Sequence, residues 1–464
     1  HTSPVWHDGV VYYLSERDFA NNIWSYNPKT KENKQVTFHS DFDVKNLDAG
    51  GGMIVYEQGS YLHLLDPANG KARQLNIEVA GDMNWGRPRW VNARSSQMQN
   101  AQLSPSGKRA IFEFRGEIIT VPKKEGDWRN ISKTSGVADR SPIWSPKGGK
   151  VAWFSDASGE YQLMIGDQSG MNEPKVIALP NPTFYFRPEW SPDGKYIAYT
   201  DTDYNMWYVD VETGAAKKGD TELYAHPNRS LNPVWSPDSK WITYVKLLES
   251  QFKAVFVHNV ESGTTLQLTD GMSDAISPVW DESGKYLYFL ASTNYGLSTG
   301  WLDMSSYNMP VTRGLYMIVL DKNEPSPFLP LSDEEPEGEE EKKKESKENT
   351  VTIDMDGITQ RILSVSVPVR NYTQLVQGTK GHVFYTELVP NEGVKLHRYS
   401  LKDRKGIEYL SSVSYITTSA DRKQLLYRSG NNWGIVGTTG GAKKPGQGRL
   451  NLSGVRVKVN PREE

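Results

Sequence analysis

Cysteine is absent from the sequence, so the chain cannot form disulfides, use a thiolate nucleophile or build a cysteine-based zinc site. The longest apolar runs are strand-sized, far below the roughly 18 residues that a membrane-spanning helix needs. Neither sign of charge is in excess, since 53 basic and 56 acidic residues leave a net charge of −3. This balance gives no electrostatic reason to expect nucleic acid or an anionic membrane as a partner. The opening HTSPVWHDG lacks the basic head and apolar core of a signal peptide and starts inside a repeat unit, which predicts a segment of a longer protein.

Aromatic residues, in contrast, are abundant, with 14 Trp and 24 Tyr beside 40 Gly and 26 Pro. Trp144, Trp190, Trp235 and Trp280 recur at intervals of 46, 45 and 45 residues, in the phrases SPIWSPKGGK, RPEWSPDGKY, NPVWSPDSKW and SPVWDESGKY. A period of about 40–50 residues with several short strands per unit is typical of the blades of a β-propeller. Because the tryptophan repeats in each unit, we predict that it packs blade against blade rather than stacking on a carbohydrate.

The propeller pattern extends over most of the chain. In residues 187–214 short strands such as YIAYT and MWYVDV alternate with turns, where Pro fixes one backbone angle and Asp-Gly supplies a positive φ. The fold class is therefore all-β, built from four-stranded antiparallel blades. Nine units can be counted, at 3–38, 44–76, 101–132, three around Trp144, Trp190 and Trp235, one from 277, and two at 372–410 and 414–437. Since ordinary propellers have four to eight blades, one or more terminal units should belong to a neighbouring ring.

Two stretches interrupt the repeat. Residues 292–312 are rich in Asn, Ser, Tyr and Gly and are too long for a blade turn, which indicates a loop over one face. Residues 331–349 (LSDEEPEGEEEKKKESKEN) are almost entirely charged or polar. Such a segment buries too little apolar surface to offset its chain entropy, so we predict a disordered insertion there.

Motifs that resemble catalytic or metal sites have better structural explanations. Residues 296–300 match G-x-S-x-G around Ser298, but that motif needs a strand before it and a helix after it. Residues 201–212 place acids where a calcium loop has them, yet Met206 stands where that loop requires glycine. The eight histidines are scattered singly, without metal-ligand spacing. We therefore assign no catalytic, cofactor or metal residue to the chain.

The repeat phrase resembles both Tol-system propellers and propeller-capped peptidases, and the order of segments is more specific. SPVWHDGVVYYLSERDFANNIWSYNP, SDFDVKNLDAGGGMIVYEQGSYLHLLD, LSPSGKRAIFEFRGEIITVP and the closing LNLSGVRVKVNPREE resemble the tricorn protease family, as does the position of the acidic insertion. In that family a six-bladed propeller precedes a seven-bladed one, and a catalytic region follows. The resemblance implies a last upstream blade at 1–40, a seven-bladed or eight-bladed propeller at 44–447, and a linker into the catalytic region at 448–464.

The same resemblance implies a function. The chain would be the non-catalytic propeller portion of a serine peptidase that degrades oligopeptides, acting as substrate gate and scaffold. The catalytic residues of the family lie downstream, so no position here inherits them. Oligopeptides are the expected partners through a cytoplasmic, homo-oligomeric parent. Two alternatives remain open from the sequence: a stand-alone Tol-type propeller that binds a protein partner, with a periplasmic location, and the cap of a prolyl-oligopeptidase-like enzyme.

Overall fold

The computed structural model describes residues 1–224, 231–293, 311–330 and 350–464. These residues contain 37 strands in ten antiparallel sheets, eight of which have four strands. Three short 3-10 helices accompany them, at Asn84–Gly86, Ser95–Gln97 and Ile358–Arg361. The predicted all-β propeller fold is confirmed. The chain divides into two compact units, His1–Asn84 (unit 1) and Trp85–Glu464 (unit 2).

Unit 1 consists of two four-stranded blades. Blade 1 contains β1 (Thr2–His7), β2 (Val10–Asp18), β3 (Ala20–Asn27) and β4 (Glu32–Gln35), and blade 2 contains β5 (Val44–Gly50), β6 (Met53–Gln58), β7 (Tyr61–Asp66) and β8 (Lys71–Gln74). The two blades share one hydrophobic core, in which Leu14 and Ile23 pack with Val44, Ile54 and Leu65. This shared core explains why both blades belong to one compact unit.

Unit 2 consists of seven blades and one additional pair of strands, β9 (Arg89–Asn92) and β37 (Arg456–Val459). The first three blades are blade 3, with β10 (Gln99–Leu103), β11 (Arg109–Phe114), β12 (Glu117–Pro122) and β13 (Arg129–Asn130); blade 4, with β14 (Arg140–Trp144), β15 (Lys150–Ser155), β16 (Gln162–Asp167) and β17 (Lys175–Ile177); and blade 5, with β18 (Tyr185–Trp190), β19 (Tyr196–Asp201), β20 (Asn205–Asp210) and β21 (Ala216–Thr221). The other four are blade 6, with β22 (Val234–Trp235), β23 (Trp241–Leu247), β24 (Lys253–Asn259) and β25 (Thr265–Gln267); blade 7, with β26 (Asp274–Trp280), β27 (Tyr286–Ser292), β28 (Gly314–Val319) and β29 (Ile362–Ser364); blade 8, with β30 (Tyr372–Gln377), β31 (His382–Val389), β32 (Gly393–Ser400) and β33 (Lys405–Leu410); and blade 9, with β34 (Tyr415–Thr418), β35 (Gln424–Ser429) and β36 (Asn432–Gly437).

A recurring tight turn joins the first two strands of a blade. In blade 5 the Ser191 hydroxyl donates to Asp193 Oδ1 at 2.6 Å and accepts from the Tyr196 amide at 2.9 Å. Gly194 completes the turn with a φ of 74°, which a residue with a Cβ adopts only under strain. Equivalent serine–aspartate turns occur at residues 236–241 and 419–424. We call these the Ser-Asp turns.

The seven blades of unit 2 close into a ring. The first strands of successive blades contact one another in chain order from β10 to β34, and β34 contacts β10. At this closure the Tyr415 hydroxyl donates to the Ala101 carbonyl at 2.5 Å, and the Asp421 amide donates to the Pro105 carbonyl at 3.0 Å. The first strands therefore surround an axial channel, and hydrophobic clusters lie between neighbouring blades.

The two ends of unit 2 are joined beside the closure. β37 pairs with β9 from Arg456 opposite Asn92 to Val459 opposite Arg89. A bridge between Gly434 and Arg449 adds the approaching chain to the edge of the three-stranded blade 9. The closure is thus made by strands from both ends of the unit as well as by contacts between blades 9 and 3.

The division between the units differs from the expected one. The sequence predicts a boundary at residues 40–44, whereas the compact units meet between Asn84 and Trp85. The difference is blade 2, whose Val44, Ile54 and Leu65 pack on blade 1, so that unit 2 begins after blade 2 and contains seven blades, one of the two numbers that the sequence left open. The predicted disordered insertion at 331–349 lies outside the described residues.

Candidate functional site

The first strands of four ring blades carry a β-bulge beside the channel. Pairing with the second strand shifts register there, and one non-glycine residue has a positive φ: Asn100 (45°), Ser141 (52°), Arg187 (53°) or Ser277 (54°). Such a backbone costs on the order of 1–3 kcal/mol per residue. A β-bulge changes the direction of the side chains where the hydrogen bonding between two strands is interrupted, and these four bulges lie on the innermost strands.

The bulges also connect neighbouring blades. Glu113 of blade 3 accepts hydrogen bonds at Oε2 from Asn100 Nδ2 at 2.6 Å and from the Ser141 amide of blade 4 at 2.9 Å. Between blades 7 and 8, Ser277 Oγ accepts from the Leu375 amide at 2.8 Å. The strained residues therefore hold the ring together around the channel.

Three charged side chains lie at the same end of the first strands, on blades 5, 7 and 9. Glu189 belongs to blade 5, Glu282 to the turn of blade 7 and Arg422 to the Ser-Asp turn of blade 9. Burial lowers the pKa of Arg422, and the carboxylates of Glu189 and Glu282 act in the opposite direction. Blades 5, 7 and 9 are not neighbours in the ring, so the two carboxylates act on Arg422 across the space that the first strands surround. We call these three residues the axial charge cluster.

The members of the cluster differ in exposure. Glu189 and Arg422 are half-buried, whereas Glu282 is exposed. Arg422 Nη1 donates to Thr418 Oγ1 at 3.2 Å, which fixes one side of the guanidinium. Glu282 Oε2 accepts from the Lys380 amide of blade 8 at 2.7 Å. The cluster is therefore anchored on several blades.

Glu189 titrates near neutrality. Burial raises its pKa to about 7, against the opposing effects of Arg422 and of the Trp235 backbone amide. The carboxyl is consequently neutral in mild acid and charged above neutral pH. The charge across the channel therefore changes within the physiological pH range.

A second charge network connects blades 6, 7 and 8 at the other end of the first strands. Asp274 is 1% exposed and begins β26, whereas the turn of blade 7 follows the end of that strand. Its Oδ1 lies 3.1 Å from Lys253 Nζ, and its Oδ2 lies 3.7 Å from Arg313 Nη2. Arg313 also donates to the Tyr372 carbonyl at 3.2 Å. These contacts give the network a role in joining blades.

The four repeat tryptophans end the first strands of blades 4 to 7. Trp144, Trp190, Trp235 and Trp280 are 5%, 7%, 2% and 2% exposed. The indole of Trp235 donates to the Glu189 carbonyl at 3.0 Å, and that of Trp280 donates to the Val234 carbonyl at 3.1 Å. The buried indole nitrogens of Trp144 and Trp190 have no hydrogen-bond partner among the described residues. The tryptophans thus share a position but not a hydrogen-bonding environment.

The other sequence motifs do not assemble a reactive site in the described part of the chain. The calcium-like segment 201–212 is a β-hairpin in which Asp201 accepts from the Asn205 amide at 2.9 Å and from the Trp207 indole at 2.8 Å. No group of three or more potential metal ligands occurs among the residues described. The G-x-S-x-G segment with Ser298 lies outside them. No helix in the same residues is long and apolar enough to cross a membrane.

The residues of the axial charge cluster stand out in the sequence because each departs from the repeat phrase, although none belongs to a recognised motif. Glu189 precedes Trp190 where the other repeat phrases have Ile or Val. Arg422 occupies the turn position of Gly194 and has a φ of 57°. Glu282 stands where the turn of blade 5 has Pro192. All three are departures from the repeat, and the structure brings them together.

Comparison with known proteins identifies two propeller models. Residues 98–439 match the tricorn protease second beta propeller domain, and residues 1–71 match the tricorn protease N-terminal beta propeller domain. The first match covers blades 3 to 9, and the second covers blades 1 and most of 2. The two matched regions therefore follow the two compact units.

Individual relatives agree with these matches. The chain is 24% identical to a tricorn protease homolog of Saccharolobus solfataricus, over 98% of this chain and 41% of the relative. It is 21% identical to the tricorn protease of Thermoplasma volcanium, over 99% of this chain and 44% of the relative. A crystal structure of the tricorn protease matches all of this chain and 44% of its own, with a TM-score of 0.67 and 18% identity. The chain spans less than half of the length of these proteins.

Proposed function

This chain belongs to the tricorn protease family, and we propose that it is the non-catalytic propeller portion of a serine peptidase that degrades oligopeptides. In this proposal the seven-bladed ring of unit 2 admits unfolded peptides through its axial channel and excludes folded proteins. Catalysis belongs to the remainder of the parent protein.

The observation that carries the proposal is the axial charge cluster. Arg422, Glu189 and Glu282 lie at the same end of the first strands on blades that are not neighbours, and the two carboxylates oppose the lowering of the pKa of Arg422 by burial. A peptide that passes must displace or replace these interactions, and its own backbone and charged ends can do so. A folded domain cannot follow, because the blades around the axis are held by bulge contacts such as those of Glu113 and Ser277.

The histidines that the structure describes have hydrogen-bond partners within the blades. Their side-chain hydrogen-bond partners include Tyr56, Thr265, Thr379 and Glu387, and no serine–histidine pair occurs among the described residues. A serine nucleophile needs a base within hydrogen-bond reach. The proposal accordingly places the catalytic serine and its base in the remainder of the parent protein.

Unit 1 fits a different role in the same proposal. We propose that blades 1 and 2 are the last two blades of a preceding propeller. Val11 and Tyr13 lie on the face of β2 opposite the core residues Tyr12 and Leu14, and with Pro4 and Tyr26 they line an open apolar groove of about 320 Å³. An inner blade of a propeller has neighbours on both faces, so this face fits an upstream blade.

The experiment compares peptidase activity with and without the axial cluster. The full-length protein should hydrolyse internally quenched peptides, and the 464-residue chain alone should not. In the full-length protein, Arg422→Ala should raise kcat/KM for long peptides more than for tripeptides, because a tripeptide has less need of a wide passage.

Arg129→Ala is the matched control, since Arg129 is an exposed arginine on the outer strand of blade 3. Equal rates for all peptide lengths in the Arg422 and Arg129 variants would refute the gate. Activity of the isolated chain would refute its non-catalytic role.

Oligomerisation and location complete the proposal. We expect the parent protein to be a cytoplasmic homo-oligomer, as the family resemblance implies. Light scattering of the full-length protein and fractionation of the source cells test these two points separately.

A further inference from the structure

A cleft of about 840 Å³ lies where the ring closes. It is bounded by the chain before blade 3 (residues 93–96), the hairpin of blade 9 (431–433) and the segment before β37 (449–453). Its volume lies within the range of about 300–1,000 Å³ that ligand pockets occupy. The cleft is separate from the axial charge cluster, whose residues do not line it.

The walls of the cleft are fixed by hydrogen bonds. Trp433 is 2% exposed, and its indole donates to the Ser95 carbonyl at 3.2 Å. The Leu450 amide donates to the Trp433 carbonyl at 2.8 Å, which holds the third segment against the same residue. A site built on such a frame needs little rearrangement to bind a ligand.

The chemistry of the lining favours an anion. Arg94 and Arg449 are its charged residues, and none of the described residues that line the cleft carries a carboxylate. Neither guanidinium has a hydrogen bond or ion pair to another described residue, and both are exposed. The remaining polar side chains are hydroxyls and amides, which include Asn432 and Asn451. Two cations without counter-charges therefore face the same space.

An unpaired hydroxyl points to a ligand independently of the arginines. Ser95 Oγ is buried and has no hydrogen-bond partner in the described part of the chain. Leaving a buried polar group unpaired costs about 1–3 kcal/mol. Ser95 lines the cleft, so a rotation of its side chain can bring this buried hydroxyl to a bound oxyanion, which would accept its hydrogen bond.

We propose that the cleft binds an oxyanion group through Arg94, Arg449 and Ser95. Arginine is suited to this role because its planar fork donates two parallel hydrogen bonds to a carboxylate or a phosphate. The two sources of such a group are the terminal carboxylate of a short peptide and a phosphate ester. The volume leaves room for several further atoms of the ligand, beside the amides of Asn432 and Asn451.

Calorimetric titration of the 464-residue chain tests the proposal with three probes: tetra-alanine as the free acid, its C-terminal amide, and a phosphorylated serine peptide with an amidated end. We expect the free acid or the phosphopeptide to bind and the uncharged amide not to bind. Which of the two binds identifies the source of the oxyanion. Binding should weaken as salt is raised, because the attraction is electrostatic.

Variants assign the binding to the cleft. Arg94→Gln and Arg449→Gln should each raise the dissociation constant about tenfold or more, which is the loss of affinity expected when one charge-assisted hydrogen bond is removed. Ser95→Ala should weaken binding without lowering the melting temperature, since the hydroxyl has no internal partner to lose. Arg129→Gln is the matched control and should change neither quantity.

The proposal is overturned if neither anionic probe binds, if the amide binds as well as the free acid and the phosphopeptide, or if the arginine variants bind like the control. Arg422→Gln separates this site from the proposed gate. Binding that is lost in Arg422→Gln but kept in the Arg94 and Arg449 variants would place the ligand in the channel instead.

Discussion

Replacing the repeat tryptophans by phenylalanine should separate them into two pairs. Trp235 and Trp280 each donate an indole hydrogen bond to the preceding blade, whereas Trp144 and Trp190 bury the same group without a partner among the described residues. All four are at least 93% buried, so the loss of ring packing should be similar at each position. The difference between the pairs then reports the hydrogen bond.

The magnitude follows from the two environments. At positions 235 and 280 the change removes a net hydrogen bond of about 0.5–1.5 kcal/mol and leaves a carbonyl without its donor. At positions 144 and 190 it removes a buried unpaired donor, whose presence costs about 1–3 kcal/mol. The free energy of unfolding should therefore fall by about 2–4 kcal/mol more in the first pair than in the second.

Differential scanning calorimetry is the appropriate measurement, because two compact units need not unfold in one transition. For a unit of this size, the expected difference corresponds to about 3–5 °C in the melting temperature of unit 2. Each tryptophan variant is compared with the other three, so every position has a matched control within the same repeat.

Equal losses at all four positions would refute the reasoning. They would show that Trp144 and Trp190 find partners that compensate their indole groups, or that ring packing alone determines the stability of the blade contacts. A larger loss at Trp144 and Trp190 would contradict the hydrogen-bond assignment directly.

Three further predictions concern charged residues. Asp274→Ala should lower the free energy of unfolding by about 3–5 kcal/mol, because it leaves the buried cations of Lys253 and Arg313 without a counter-charge; calorimetry that shows a loss under 1 kcal/mol would contradict this. Burial raises the pKa of Glu189 to about 7, so between pH 5 and 7 the folded protein keeps a proton that the unfolded chain has released. Raising the pH from 5 to 8 should therefore lower the free energy of unfolding of unit 2. Glu189→Gln should remove this component from melting curves recorded across that range, and an unchanged pH dependence would count against it. Arg422→Gly should preserve or raise the melting temperature, because it relieves about 1 kcal/mol of backbone strain at a φ of 57°. The same change should increase the turnover of long peptides by the full-length protein. A large loss of stability would mean that Arg422 is a structural residue.

Much of the fold could be predicted from the sequence because the signals are local. The alternation in YIAYTD defines β19, and the serine, aspartate and glycine of the preceding turn make their hydrogen bonds within five residues. Trp190 and its equivalents mark the end of each first strand for the same reason. Repeated local signals of this kind specify a blade before any long-range contact is known.

The grouping of the blades could not be read in the same way. Residues 44–76 have the same alternation as every other unit, so their pattern does not say which neighbour they pack on. That choice depends on the contacts of Val44, Ile54 and Leu65 with Leu14 and Ile23, which involve the complementary shapes of two sheets. The charge network of Asp274 was equally hidden, because its partners lie on separate strands and carry no shared motif.

The axial charge cluster shows how a repeat can nevertheless indicate a functional site. The strain at Asn100, Ser141 and Ser277 recurs at equivalent positions, so it belongs to the way in which the blades are built. Arg422 is different, since it stands where the turn of blade 5 has a glycine, and within its own blade its guanidinium donates only to Thr418 among the described residues. Glu189 likewise introduces a carboxylate where equivalent phrases keep an aliphatic side chain. A departure from the repeat that has a local cost is expected where function, rather than packing, selects the residue. Both departures lie at the same end of the first strands of one ring, which supports the gate that we propose for its channel.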